Sequence, residues 1–261
     1  MDAELPIVYI AGDVHLRGDE GAQAPFVRFL EHLAGQPAAH LVLLGDLFEY
    51  WLDGGGSLAR YEPVLARLRL LRARGWRLDL ILGNRELTAG RQLAVASGCR
   101  MHWPSLTLML GARRLRIIHG DRICHDPSYH FFAAWMRSFW HRQWQALHPA
   151  PVQDLVARLL RGMSRQKKRA PTPRAAKRRV FIDRRRVEAV GRGVDVVIAG
   201  HIHESWSRTI GAVELVLVGD WPLSCGHWVE GFSDGRIQRV SHDFAAAQAT
   251  TAGVAAAAAR P

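Results

Sequence analysis

The sequence predicts an α/β fold in which a parallel sheet alternates with helices. Residues 7–11, 41–44 and 78–82 are short apolar runs with the length of buried strands. Residues 26–33 and 61–74 lie between these runs and carry apolar side chains at helical spacing. Strands that alternate with helices in this way are typical of a parallel sheet.

Two further apolar runs extend this pattern into the second half of the chain. Residues 115–118 precede His119, and residues 194–199 precede His201. The first three runs also end shortly before polar residues, which are Asp13, Asp46 and Asn84. Open α/β sheets bind their ligands at the carboxyl ends of the strands. We therefore expect a functional site where these five runs end.

Residues 127–192 interrupt the pattern and predict an inserted cap. Aromatic residues within 129–147 follow helical spacing, which predicts an amphipathic helix. Its apolar face is interpreted either as packing of the cap on the core or as a surface for a lipid chain. We expect a core formed by residues 1–126 and 193–243, a helical, basic cap at 127–192, and a disordered tail at 244–261.

The net charge of +11 is concentrated in one segment of this cap. Residues 161–186 hold twelve of the 35 basic residues and one of the 24 acidic residues, so 23 of each sign remain elsewhere. Such a segment predicts an anionic partner, which could be a nucleotide diphosphate, an acidic lipid surface or nucleic acid. A solvated flexible stretch is the alternative interpretation.

Composition also argues against several classes of protein. No apolar run approaches the roughly 20 residues that span a bilayer, so membrane contact is expected to be peripheral. Residues 5–11 lack the basic start and the cleavage site of a signal peptide. The three cysteines form no CxxC pair, which argues against a disulfide framework and against a cysteine-bound zinc. These features favour the reducing cytoplasm.

Five polar motifs follow the predicted strands and contain candidate metal ligands. They are Asp13-Val14-His15, Gly45-Asp46, Gly83-Asn84-Arg85-Glu86, His119-Gly120-Asp121 and Gly200-His201-Ile202-His203. Residues two positions apart project to the same side of an extended segment, so Asp13 and His15 are expected to reach one cation. His201 and His203 repeat this spacing and are expected to point the same way. Imidazole and carboxylate together suit Mn, Fe, Zn or Co better than Ca or Mg. The motifs supply enough ligands for two ions.

Any one of these motifs is common in surface turns, but the ordered set resembles the calcineurin-like metallophosphoesterases, whose pattern is DxH, GD, GNH[DE], H and GHxH. The resemblance implies a two-sheet α/β sandwich with a dinuclear site, at which metal-bound hydroxide attacks phosphorus. It also implies which residues bind the metals. Asp13, His15 and His203 would hold one ion, Asn84, His119 and His201 would hold the other, and Asp46 would bridge them. We expect two divalent ions, with Mn as the preferred metal.

Arg85 stands where most members of this superfamily have a histidine that protonates a leaving alkoxide. A guanidinium group stays charged and cannot act as a general acid, but its planar fork suits a phosphate. The leaving group should therefore need little protonation, which favours cleavage of an anhydride. We expect Asn84, Arg85 and His203 to be the catalytic residues.

Residues 45–51, 83–86 and 119–124 closely resemble UDP-2,3-diacylglucosamine pyrophosphatases of lipid A biosynthesis, which carry GDLFExW, GNRD and HGDxLC there. The resemblance implies hydrolysis of UDP-2,3-diacylglucosamine to UMP and 2,3-diacylglucosamine 1-phosphate by a cytoplasmic enzyme, peripherally bound to the inner membrane. It implies five substrate-binding residues, which are Asn84, Arg85, Asp126, Tyr129 and Lys177. Glu86 replaces the usual aspartate, and the cap sequence is divergent.

Two other functions remain open at this point. One is a metal-dependent phosphodiesterase or nuclease whose basic segment binds nucleic acid, and Arg85 counts against it. The other is a catalytically silent binding protein, which should lack a metal ligand, whereas none of the seven ligand positions is substituted by a non-ligating residue.

Overall fold

The structure, a computed structural model, describes residues 4–51, 53, 56–86, 89–124, 152, 182–222 and 224–244. Most of the predicted cap lies outside the described residues, including the helix expected at 129–147 and the basic segment up to residue 181. Asp126, Tyr129 and Lys177 also lie outside them, as do residues 245–261 of the predicted tail.

Two mixed sheets form the centre of the molecule. The first sheet has the strand order β11-β10-β1-β2-β3-β4. Its strands are β1 (Val8–Ala11), β2 (His40–Leu43), β3 (Arg77–Ile81), β4 (Arg100–His102), β10 (Cys225–Gly231) and β11 (Ile237–Asp243). Strands β1 to β4 are parallel, whereas β10 and β11 are added in an antiparallel manner.

The second sheet has the strand order β5-β6-β7-β9-β8. Its strands are β5 (Ser105–Leu110), β6 (Arg113–Ile118), β7 (Val196–Ala199), β8 (Ser205–Ile210) and β9 (Val213–Val218). The three central strands are parallel, and the edge strands β5 and β8 are antiparallel to their neighbours.

Helices cover the outer faces of both sheets. On the first sheet lie α1 (Glu20–Ala34), α2 (Ser57–Arg60), α3 (Glu62–Ala73) and α4 (Arg91–Ser97). On the second sheet lie α5 (Arg184–Val190) and a 3-10 turn at Asp121–Ile123. Side-chain alternation along β1 shows the layering, since Tyr9 and Ala11 join the core under α1 and α3, whereas Val8 and Ile10 join the core between the sheets.

The predicted two-sheet α/β sandwich is confirmed, and the five apolar runs correspond to β1, β2, β3, β6 and β7. The predicted runs do form parallel strands, and hairpins add antiparallel strands to both sheets. Strand β8 shows why these were hard to predict, since most of its side chains are exposed and it carries little apolar signal.

Two elements bear on the predicted domain limits. Helix α5 falls within residues 127–192, yet its Val187 is fully buried against the second sheet. Phe244, the first residue of the predicted tail, is also buried and stacks on Trp221. The cap and tail themselves stay predictions. Within the described residues, no helix combines the length and the apolar character needed to cross a bilayer.

A polar cluster is buried inside the first sheet, apart from the strand ends. Asp79 on β3 is completely buried and contacts three cationic or imidazole groups. His40 Nε2 and His102 Nε2 each lie 2.6 Å from one of its carboxylate oxygens, and Arg77 Nε donates to it at 2.8 Å. Burial alone would raise the pKa of Asp79. These hydrogen bonds lower the pKa by a larger amount, so the net shift is downward.

Candidate metal centre

The candidate ligands lie on loops that follow β1, β2, β3, β6 and β7, and five of the seven have an unusual backbone conformation. All non-glycine residues with positive φ in the described part of the chain are candidate ligands. They are Asp13 (φ 51°), His15 (φ 51°), Asp46 (φ 47°), His201 (φ 70°) and His203 (φ 61°). Left-handed backbone at such residues costs energy and is typical of functional sites.

This conformation corrects one step of the sequence argument. Asp13 and His15 were expected to point the same way because they alternate along an extended segment, as were His201 and His203. Both pairs instead follow the end of a strand and are left-handed. Hydrogen bonds between loops hold the first pair, since Asp13 N donates to Gly45 O at 3.1 Å and His15 N donates to Asp46 O at 3.0 Å.

Glycines allow the loops to pack this closely. Gly45 has φ of 81°, and a Cβ there would lie 2.3 Å from Gly83 N. A side chain at this position would separate the loop of Asp46 from the loop of Asn84.

Asp13, His15 and His203 form one cluster. Their ligand atoms all lie within 4.8 Å of one another. His15 Nε2 is 3.1 Å from His203 Nε2, which in turn is 3.8 Å from Asp13 Oδ1. The two imidazoles are partly accessible, with 27% of the His15 side chain and 41% of the His203 side chain exposed.

Asn84, His119 and His201 form a second, more buried cluster. His119 Nε2 lies 3.0 Å from Asn84 Oδ1 and 3.1 Å from His201 Nδ1. The His119 side chain is 2% exposed, and its Nδ1 lies 2.9 Å from the carbonyl oxygen of Leu44. Because a carbonyl only accepts, Nδ1 carries the proton and the lone pair of Nε2 faces the cluster.

Asp46 lies between the two clusters. Its Oδ1 is 3.6 Å from His119 Nε2, and its Oδ2 is 3.9 Å from His15 Nδ1. All seven candidate metal ligands are therefore brought together at the carboxyl ends of the strands. Of the substrate-binding candidates, Asn84 and Arg85 are at this site, while the other three lie outside the described residues.

The side chains present fit divalent cations. Asp13 Oδ1 is buried and has no hydrogen-bond partner within the described part of the chain, which is unfavourable for a carboxylate oxygen unless a cation faces it. The Asn84 amide faces His119 Nε2 and both Asp46 carboxylate oxygens. Its nitrogen could donate to these atoms, and its oxygen could join them as a ligand.

Electrostatics point the same way. Burial, together with Asp46, raises the pKa of Asp13 to about 7, although His119 opposes the shift. Burial lowers the pKa of His15 and His201 to about 4, so both are neutral and able to ligate a metal at neutral pH. Burial lowers the pKa of His119 too, but the carboxylates of Asp46 and Asp13 outweigh it and the net shift is upward.

Arg85 lies at the edge of the centre. Its backbone N donates to Asp46 Oδ1 at 2.9 Å, and its Nε lies 3.6 Å from Asp46 Oδ2. The Nε is buried and has no hydrogen bond to any residue that the structure describes, whereas the side chain as a whole is 33% exposed. The guanidinium can therefore contact an anionic group that enters the centre.

Glu86 has a role that the sequence did not predict. Its buried carboxylate accepts from the backbone N of Asp46 at 2.9 Å, of Phe48 at 3.1 Å and of Gly83 at 3.3 Å. Burial and the charge of Asp46 raise the pKa of Glu86 to about 7. Glu86 thus holds together the loops that carry the candidate ligands. The glutamate that replaces the usual aspartate therefore acts on these loops.

Asp220 was also missed. Its Oδ2 lies 3.1 Å from His203 Nδ1. The signal was present, because Gly219-Asp220 follows the apolar strand β9 as Gly45-Asp46 follows β2.

The comparisons of sequence indicate one family. A model of the calcineurin-like phosphoesterase family matches residues 7–205. A protein of Ralstonia nicotianae named UDP-2,3-diacylglucosamine hydrolase is 32% identical over 228 residues, which cover 82% of this chain and 83% of the relative. The protein of the same name from Haemophilus influenzae is 25% identical, over 82% of this chain and 90% of the relative. Among solved structures, a dimetal phosphatase from Danio rerio has a TM-score of 0.43 and 12% identity, covering 92% of this chain and all of that chain (100%).

Proposed function

Because the chain belongs to the calcineurin-like phosphoesterase family and is a metal-dependent phosphohydrolase, we propose that it cleaves the diphosphate of UDP-2,3-diacylglucosamine. The products would be UMP and 2,3-diacylglucosamine 1-phosphate. The observation that carries this proposal is Arg85, whose buried Nε lies 3.6 Å from Asp46 Oδ2 and has no hydrogen-bond partner among the described residues. The names of the relatives support the same substrate.

We assign the metal ligands as two sets that share one carboxylate. Asp13, His15 and His203 would hold one ion, and Asn84, His119 and His201 would hold the other. Asp46 lies between the two clusters and would serve both ions. Mn²⁺ is the proposed metal, because imidazole-rich sites prefer such ions to Mg²⁺. When bound, the two cations supply the positive charge that activates water and stabilises phosphoryl oxygens.

The side chains of the centre then divide the remaining work. Arg85 stays protonated, so it neutralises charge on the diphosphate and does not donate a proton. Cleavage of an anhydride suits this arrangement, because the leaving group departs as a phosphate. Asn84 and His203 are assigned beside the reacting phosphoryl group, where His203 is accessible with 41% of its side chain exposed.

The lipid and nucleotide ends of the substrate are assigned to the cap. Asp126, Tyr129 and Lys177 are the proposed contacts, and the basic segment 161–186 is proposed to attract the anionic cytoplasmic face of the inner membrane. Each basic residue near such a surface contributes about 1 kcal/mol. Charge reversal within 161–186 should therefore weaken binding to vesicles that contain anionic lipid, and equal binding to neutral and anionic vesicles would contradict this role.

The direct test is hydrolysis of the proposed substrate. The full chain, loaded with Mn²⁺, is incubated with UDP-2,3-diacylglucosamine, and UMP is measured by chromatography. Asp46→Ala serves as the control for catalysis by this centre. We expect UMP in the wild type alone. Rapid cleavage of a nucleic acid or an artificial phosphodiester, without UMP from the lipid, would instead support the phosphodiesterase or nuclease function.

A further inference from the structure

Asp220 fixes the orientation of one candidate ligand. It follows strand β9, and its Oδ2 lies 3.1 Å from His203 Nδ1. A carboxylate accepts hydrogen bonds, so the proton of a neutral His203 resides on Nδ1 and the lone pair of Nε2 is directed away from Asp220. The Nε2 atom lies 3.1 Å from His15 Nε2 and 3.8 Å from Asp13 Oδ1.

The two clusters hold their imidazoles by different means. In the buried cluster, the Nδ1 of His119 contacts the main-chain carbonyl of Leu44 at 2.9 Å, and the side chain is 2% exposed. In the accessible cluster, His203 is 41% exposed and is held by the side chain of Asp220, which is itself 30% exposed. Packing therefore constrains His119 far more than His203, and the orientation of His203 depends on one carboxylate.

We propose that Asp220 is a positioning residue that sets the metal affinity of the cluster formed by Asp13, His15 and His203. A carboxylate that accepts from the far nitrogen of a metal-ligating histidine fixes its tautomer and ring orientation and raises its basicity. Loss of such a partner typically weakens metal binding about 10- to 100-fold. The cluster around His119 should be unaffected, because it does not contact Asp220. This inference rests on the proposed metal centre and is independent of the substrate.

Long-range attraction between a carboxylate and a cation is the competing explanation. Glu204 provides a matched control, since it is adjacent to His203 in sequence but its carboxylate accepts from Trp206 Nε1 at 2.7 Å. Glu204→Gln removes the same charge near the centre without removing a partner of a ligand.

In the test, metal is removed from the full chain, and the binding of Mn²⁺ is then measured by isothermal titration calorimetry. We expect two ions in the wild type and in Glu204→Gln. Asp220→Ala should bind one ion with unchanged affinity and the other about 10- to 100-fold more weakly. The Mn²⁺ affinity of Asp220→Asn should lie between those of the wild type and Asp220→Ala, because the amide oxygen can accept from Nδ1 but carries no charge.

Several outcomes would overturn the proposal. Wild-type affinity for both ions in Asp220→Ala would do so, as would equal weakening of both ions. If Glu204→Gln lowered the Mn²⁺ affinity as much as Asp220→Ala does, the effect would be due to charge alone. If Asp220→Ala does not fold, Asp220→Asn decides, and unchanged binding by that variant would contradict the proposal. Because Mn²⁺ binding involves no substrate, failure to hydrolyse the UDP-linked lipid would leave this result intact.

Discussion

Glu86→Ala should destabilise the protein and impair turnover together. The substitution removes an acceptor from three buried backbone N–H groups, those of Asp46, Phe48 and Gly83. Each buried donor left without a partner costs about 1–3 kcal/mol. Two of the three bonds are short, at 2.9 and 3.1 Å, and the third is longer, at 3.3 Å.

We expect the free energy of unfolding to fall by about 3 kcal/mol, because water can enter the vacated space and satisfy some of the donors. This is a large share of the roughly 5–15 kcal/mol that stabilises a typical protein. The midpoint of urea unfolding should move down by about 1 M or more. Tryptophan fluorescence reports this transition, since the chain contains nine tryptophans.

Turnover should fall as well, since Glu86 holds the backbone of Asp46 in place. A loss of about 10- to 100-fold is typical when a group that orients a metal ligand is removed. Glu86→Gln keeps one acceptor oxygen and should be intermediate in both measurements. Glu230→Gln is the control, because Glu230 accepts from Trp228 Nε1 at 2.9 Å, a side chain apart from the centre. An unchanged urea midpoint in Glu86→Ala would refute this account of the loops.

Three further outcomes follow from the centre and the core. Arg85→Lys should recover part of the UDP-lipid rate, since it keeps the charge without the fork, whereas Arg85→His should lower it by about 100-fold or more; an intact rate in Arg85→His would contradict the pyrophosphatase function. Chelation should abolish activity and Mn²⁺ should restore it in the wild type but not in Asp46→Ala, and full activity in metal-free buffer would exclude the two-metal centre. Asp79→Asn should reduce stability by about 1–3 kcal/mol at pH 5–8, because it disrupts the bonds of a buried carboxylate to two partly buried histidines. The lowered pKa of Asp79 means that its contribution exists above the unfolded pKa of about 3.9 and is lost as pH falls through the folded value, so the gap between variant and wild type should close in acid denaturation series. As the control for Asp79→Asn, Glu214→Gln, at a half-exposed pair with Arg113, should change stability by less than about 1 kcal/mol.

The strand ends were predictable because β1 and β2 are mainly apolar, and because β3 keeps the apolar residues Leu78, Leu80 and Ile81 around Asp79. The meeting of Asp13, Asp46 and His119 followed from the rule that sites form at these ends. The left-handed backbone of Asp13 was not predictable from spacing, because contacts between separate loops impose it.

The partners of these ligands were harder to predict. Glu86 accepts from backbone N–H groups that are 38 and 40 positions away. The sequence does not indicate which backbone N–H groups a side chain will contact. Asp220 does follow an apolar strand, so its position carried a signal. Its contact with His203, however, depends on the hairpin formed by β8 and β9.

The left-handed backbone of the candidate ligand residues has a consequence for the lifetime of the protein in the cell. Five such residues, at about 1 kcal/mol each for the tolerant types Asp and His, oppose folding by about 5 kcal/mol. Cation binding favours the folded state and offsets this opposition in proportion to the free metal concentration. When metal is scarce, a larger fraction of molecules should be unfolded and open to proteases. The abundance of the enzyme would then follow the supply of its metal as well as its rate of synthesis.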